Sequence, residues 1–335
     1  MSFDMSSTSP IAIPPAPQPP ASLRWWLLAG VALACAMPWL VYPMFLIKLM
    51  CLALLAASVN FLIGYAGLLS FGHAMFYGAA AYVTGFVAKD WGCDGILAIL
   101  AGVGVAAGFG LLTGLLAIRR QGIYFSMITL AFAQMVYFLA LRMPFTGGED
   151  GLQAVPRPRL FGFYETENTV AFYYACLLAV GLGFWLIWRT VHSPFGQVLR
   201  AIRDNEARAK SLGYKVNRYK LLAFVLSAAL AGLAGSLKVL AFQLATLTDV
   251  SWTTSGEALL VSIVGGLNTM LGPIAGAIVM GSMEHYLAGF AEWVLMIQGG
   301  VFVVVVMLFR KGLVGQWQHL MPWAPRSASA SKEGA

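Results

Sequence analysis

Charge is what this sequence has least of. Acidic and basic side chains make up 10% of its 335 residues, against roughly 25% in an ordinary soluble domain. A water-facing surface cannot be covered at that density, which excludes a soluble globular protein. Cysteine is nearly as scarce: Cys35, Cys51, Cys93 and Cys176 stand singly in or beside apolar runs. No CxxC pair occurs, and His73, His192, His285 and His319 are scattered, so neither a disulfide framework nor a zinc site is supported. The cysteines read as small apolar packing residues. Enzyme signatures are missing too. The sequence has no GxxxxGK[ST] phosphate loop, no HExxH, no GxSxG and no intramembrane carboxylate pair. No catalytic residue, metal ligand or cofactor is expected.

What is present is apolar. Hydrophobic residues account for 59% of the chain, and its 36 glycines suit helices that pack backbone to backbone in lipid. Apolar runs long enough to cross about 30 Å of hydrocarbon lie at 25–42, 44–63, 68–88, 95–118, 121–141, 169–189, 219–241, 272–290 and 292–309. A tenth run, 256–267, is too short to span without help from its flanks. The fold class expected is an all-α polytopic membrane protein of about ten transmembrane helices. Residues 1–22, rich in Pro, Ser and Ala, read as a disordered tail, 23–315 as the membrane domain, and 316–335 as a second tail. The 25–42 run reads as an uncleaved first helix, and Trp25, Trp26, Trp91 and Trp293 as anchors at the membrane interface.

Lysine and arginine set the orientation. With ten crossings and both termini in the cytoplasm, Arg24, Arg119, Arg120, Arg189, the cations from Arg200 to Lys220, Arg310 and Lys311 all fall inside. The outside keeps Lys89, Arg142, Arg157 and Arg159, diluted by neighbouring acids. Nine crossings would put Arg24 or the Arg310–Lys311 pair on the wrong side. The net charge of +7 is a topology signal of this kind and does not point to nucleic acid.

Two segments break the helical pattern, Asn60–His73 and Val264–Pro273, each studded with glycine. Irregular backbone survives at membrane depth only where protein or a water-filled cavity satisfies it, and paired breaks in transporters flank the path. Gly67, Ser70, Gly72, His73, Gly265 and Gly266 are candidate path residues on this reading. Tight interhelical turns are the plainer alternative. The polar groups within spans are few: Lys48, His73, Gln134, Lys238, Glu257 and Glu284. A secondary transporter needs more intramembrane charge than this to carry coupling ions. Glu257 is either a path residue or, with Ser255, the start of a capped helix. His73 faces the path or a partner, or is satisfied by a neighbouring carbonyl.

The one long charged segment is Ser193–Gly213, between two apolar runs. It reads as a short amphipathic helix in the cytoplasm that touches a soluble partner, or more plainly as a solvated loop whose cations obey the positive-inside rule.

These residues carry a family resemblance. Gly64–His73 with Phe76–Thr84, Arg119–Leu130 with Thr146–Leu152, Gly196–Gly213 leading into Tyr219–Gly235, and Val264–Leu267 with Gly272–Gly276 and Phe309–Leu313 together resemble the LivM-type membrane permease of ATP-binding-cassette (ABC) importers for branched-chain amino acids. Asn268, Thr269, Met270 and Arg208 depart from the family's pattern. The resemblance implies a permease in the bacterial plasma (inner) membrane for branched-chain or other small amino acids. It also implies two ABC ATPase subunits, a second related permease as a heterodimer partner and an extracellular or periplasmic binding protein. Permeases for urea, short amides or other small organic acids belong to the same family, and a self-contained secondary transporter is a further alternative. On this resemblance the loop 193–218 couples to the ATPase through Gly196, Arg200, Ala201, Ile202, Arg203, Glu206, Ala207 and Gly213. Ala201, Ile202, Ala207, Ala209 and Leu212 would pack, and Arg200, Arg203, Asp204, Glu206 and Lys210 would form a polar rim.

Overall fold

A computed structural model describes residues 30, 32–156, 169–287, 289, 291–309 and 312–315. The regular structure there is helical, apart from one isolated antiparallel bridge between Leu152 and Ala245. Residues 1–41 form a unit of their own, whose described part holds helical residues 32–36 and a 3-10 turn Met37–Trp39. The second unit carries the rest. Its helices are α1 Pro43–Ala66, α2 His73–Asp90, α3 Gly95–Ala117, α4 Ile123–Arg142, α5 Thr169–Val191, α6 Pro194–Asp204, α7 Glu206–Ser211, α8 Val216–Phe242, α9 Trp252–Gly265, α10 Gly272–Tyr286 and α11 Ala291–Leu308. Five of them, α1, α3, α4, α5 and α8, are by themselves long and apolar enough to cross a membrane. The chain is a multi-pass helical membrane protein.

Every apolar run from 44 to 309 is a helix, with shifted ends where the chemistry asks for them. The 68–88 run starts at His73, because Gly67 takes a left-handed conformation (φ +69°) and closes α1. Only Gly suits that position without cost, and the amides of Gly67 and Leu68 fold back onto the Ile63 and Leu62 carbonyls. The 256–267 run begins four residues early, where Ser251 caps α9 by accepting from the Thr253 amide. At 14 residues, α9 rises about 21 Å, well short of the hydrocarbon thickness. Its successor α10 has 15 residues. The two form a pair of short helices that turn back at 266–271.

The core is built on α1 and α8, 78% and 67% buried over their apolar windows, while α3, α4 and α5 are only 28–33% buried. α8 packs on α1, α2 and α3, with small residues at the seams. A Cβ at Gly110 of α3 would come within 2.6 Å of the Ala228 Cβ on α8, so the glycine permits the close approach. Cys51 and Cys176 are buried as expected of packing residues, whereas Cys35 is exposed and Cys93 half-exposed. Trp91 and Trp293 are 69% and 54% exposed. The terminal tails, Arg24, Trp25, Trp26, Arg157, Arg159, Arg310 and Lys311 lie outside the described residues.

Candidate functional site

The two breaks meet. The irregular stretch 67–72 is satisfied by α4: Ser126 Oγ donates to the Leu69 carbonyl at 2.7 Å, and Thr129 Oγ1 accepts from the Phe71 amide at 3.3 Å. Buried Ser70 accepts from the Gly72 amide at 3.2 Å. The turn 266–271 is held from within by Thr269 Oγ1, which donates to the Gly266 carbonyl at 2.7 Å. It is held from outside by α1. Asn60 Nδ2 donates to the Thr269 carbonyl at 2.8 Å, Asn60 Oδ1 accepts from the Asn268 amide at 3.2 Å, and the Tyr65 hydroxyl donates to the Asn268 carbonyl at 3.2 Å. Gly265 and Gly266 sit where α9 turns. A side chain on Gly265 would collide with the backbone of Gly272.

The charged segment docks against this junction. Pro194 opens α6 and Ser193 caps it, accepting from the Gly196 amide at 3.4 Å. Gly196 is buried because α6 crosses the end of α5 closely; a Cβ there would strike the Thr190 and Val191 carbonyls. The expected single helix is split at Asn205, whose extended backbone ends α6 while its side chain accepts from the Arg208 amide at 2.9 Å and caps α7. Ile202, Ala209 and Val216 form a small buried cluster against Val198 and Tyr219. Phe195 stacks on Tyr219 at 5.6 Å. Gly213 follows α7 with φ +86°.

The side chains of this segment divide differently from the expected rim and packing face. Arg200 donates to the Val191 carbonyl at 3.2 Å and lies over the Tyr65 ring at 5.4 Å. Arg203 donates to the Gly64 carbonyl and to Asn268 Oδ1 (2.7 Å), and pairs with Asp204 at 3.1 Å. Glu206, its side chain 18% exposed, accepts from Lys220 (2.6 Å), Lys210 (2.7 Å) and Gln121 (2.7 Å). Three residues expected at the rim thus hold the segment to its own chain. They can do so because a charge at a crowded junction is stable only when paired and hydrogen-bonded. Ala201, Ala207 and Leu212 are left exposed, while Ile202 and Ala209 are buried. Desolvation, the largest single influence, pushes the Glu206 carboxyl upward, but the hydrogen bonds and charges of Lys210 and Lys220 outweigh it. The group is held below the usual carboxylate range.

His73 and Glu257 belong elsewhere. His73 is fully buried, its Nε2 2.8 Å from Ser227 Oγ. Ser227 donates its own proton to the Ser58 carbonyl at 2.7 Å, so Nε2 is the donor to Ser227. Glu257 lies in the second turn of α9, which Ser251 already caps; the expected cap at Ser255 and Glu257 is not formed. Ser255 instead accepts from the Ala74 amide at 2.8 Å and caps α2 from a different helix. Glu257 makes no hydrogen bond or ion pair among the described residues, and its electrostatic neighbours are Glu284 and Lys48. Those two pair with each other at 2.9 Å, and Lys238 pairs with Asp249 at 2.5 Å.

Asn60, Asn268, Ser255 and Ser227 carry much of this geometry and were not singled out as site residues from the sequence. The glycines around Asn60 and Asn268 were the available signal. Among the described residues no group of three His, Cys, Asp or Glu could hold a metal ion. The serine beside a histidine, Ser227 at His73, is fully buried and already donates to the Ser58 carbonyl. What it can do is mechanical: one charged segment is tied at once to the end of α1 and to the α9–α10 turn.

Comparison with known proteins places this geometry in context. A family model described as the permease component of branched-chain amino acid transport systems matches residues 41–306. The chain is 29% identical over 285 residues to the high-affinity branched-chain amino acid transport permease LivM of Salmonella typhimurium, covering 78% of this chain and 67% of that one. LivM of Escherichia coli matches with 29% identity over 289 residues and the same coverages. The ribose import permease RbsC of Bacillus subtilis is also 29% identical, over 276 residues, 77% of this chain and 81% of that protein.

Proposed function

Because the chain belongs to the branched-chain amino acid transport permease family, we propose that it is the membrane-spanning subunit of an ABC importer of branched-chain amino acids in the bacterial inner membrane. Separate ATPase subunits hydrolyse ATP, since the chain has no phosphate loop. A second related permease completes the path, and a binding protein outside the membrane delivers the substrate. The observation that carries the reading is the docked charged segment. α6, α7 and the residue that closes α7 leave Ala201, Ala207 and Leu212 exposed, and Arg203 of α6 ties the segment to the end of α1 and to the α9–α10 turn. Closure of an ATPase pair beneath α6–α7 moves the segment as a rigid body, and the motion reaches α1 and the α9–α10 pair.

The equal identity to a ribose import permease supports a division of labour in which the binding protein, rather than this chain, selects the substrate. The test is reconstitution in liposomes of the chain with the ATPases, second permease and binding protein encoded with it. ATP-dependent accumulation of L-leucine but not ribose, and none with this chain alone, is the expected result. Accumulation by the isolated chain under an ion gradient would overturn the reading.

A further inference from the structure

One side chain touches both breaks. Arg203 leaves α6 and reaches the Gly64 carbonyl, one of the last carbonyls of α1, which the helix itself leaves without an amide partner. The same nitrogen, Nη1, reaches Asn268 Oδ1 in the α9–α10 turn at 2.7 Å. The surroundings are shaped for it. At Gly67 a Cβ would come within 2.8 Å of Arg203 Cγ, and at Gly64 within 3.1 Å of Asn268 Oδ1. The only carboxylate paired with Arg203 among the described residues is its neighbour Asp204. Asn268 has φ +64°, a left-handed conformation that Asn, Asp and Gly tolerate better than other residues. Its side chain is therefore free to serve as an acceptor while its backbone makes the turn. Asn60 bonds the same turn to α1 from the other side, so the end of α1 and the turn form one connected body.

We propose that Arg203 is the positioning residue that transmits motion of α6–α7 to the membrane helices, with Asn268 as its acceptor on the α9–α10 turn. When α6 shifts, the guanidinium carries the end of α1 and the turn with it. Without this link α6 slides over the junction, and ATP is hydrolysed without the breaks moving. The proposal rests on the permease reading above and adds to it the residue pair through which force passes.

The test uses the reconstituted complex with its binding protein and L-leucine as the probe, measuring leucine transported per ATP hydrolysed. A merely structural role would lower the amount of complex without changing that ratio. Asn268→Gly keeps the left-handed backbone and removes the acceptor, and Arg203→Ala removes the donor. Each is expected to lower the ratio about tenfold, the worth of one hydrogen bond to a charged group. The double variant should fall no further than either single one. Asn268→Asp, which keeps an acceptor and the backbone preference, should restore coupling to near the wild-type ratio. If Arg203→Ala does not accumulate in the membrane, Asn268→Gly and Asn268→Asp decide the matter. An unchanged ratio in Asn268→Gly, in a wild-type complex whose ATPase responds to loaded binding protein, overturns the link and leaves the permease reading standing. A wild-type complex whose ATPase ignores loaded binding protein overturns both.

Discussion

Glu206→Ala is the substitution whose cost the structure specifies best. The Glu206 carboxylate is the shared acceptor for Lys220, Lys210 and Gln121, so it ties α7 to the start of α8 and to the turn between α3 and α4. The Lys220 side chain is only 6% exposed. Removing its partner leaves a buried ammonium without compensation, a change that costs about 3–5 kcal/mol in buried pairs. Glu206 retains 18% exposure, so water reaches one end of the pair and the low end of that range, about 3 kcal/mol, applies. The cost falls on the docking of α6–α7, because no membrane-spanning helix is altered. Expressed as local opening, 3 kcal/mol is a rise of roughly a hundredfold. Hydrogen exchange of the Ile202–Lys210 amides in detergent-solubilised protein reads this directly, with the α1 and α8 amides as internal controls. Adding Lys220→Met removes the orphaned charge and should recover most of the protection. Exchange in Glu206→Ala within twofold of wild type would show that the network does not hold the segment, and the inward assignment of Glu206 would be wrong.

The same carboxyl sets a pH dependence. Because it is held below its usual range, its contribution is complete above its unfolded pKa of about 4.3 and is lost as pH falls through the lowered folded value. Protection of α6–α7, corrected for intrinsic rates, should be flat from about pH 8 to 5 and fall only below about pH 4; a midpoint above pH 5 would contradict the pairing. Gly213→Val forces a β-branched residue to φ +86°, costing about 2 kcal/mol. Limited proteolysis within 211–215 should accelerate while membrane levels stay unchanged. Gly110→Leu pushes into Ala228 and should destabilise the α3–α8 contact by about 1–3 kcal/mol in detergent unfolding. Gly104→Ala, with open space around it, should be silent.

Much of the fold could be read along the chain, because a membrane helix announces itself by length and apolarity. The runs from 44 to 309 all became helices, but the two expected breaks are narrower than read: residues 60–66 continue α1, and the backbone leaves the helix only at 67–72 and 266–271. Cap residues sharpen the ends. Ser251 and Asn205 carry local signals for the starts of α9 and α7, and reading them would have moved the first boundary and split the charged helix. The site was legible in outline only. The charged segment and the glycine turns stood out, but their contact joins residues far apart: Arg203 with Gly64, Asn60 with Thr269. No periodicity reports such pairs. The direction of a charged side chain is equally silent in sequence, since Arg200, Arg203 and Glu206 fit an outward rim and an inward anchor equally well. Only the surrounding carbonyls and lysines distinguish the two.

The central claim is that α6–α7 is the surface an ATPase engages. Single cysteines replacing Ala207 and Leu212, both outward and the latter 70% exposed, provide the direct measurement in membranes that also contain the ATPase subunits. Short bifunctional thiol reagents should join each of them to a cysteine placed on the ATPase surface, with a yield that changes when ATP is bound and trapped. Cysteines that react freely with soluble maleimide yet never crosslink to the ATPase, in a complex whose hydrolysis is stimulated by loaded binding protein, would contradict the account.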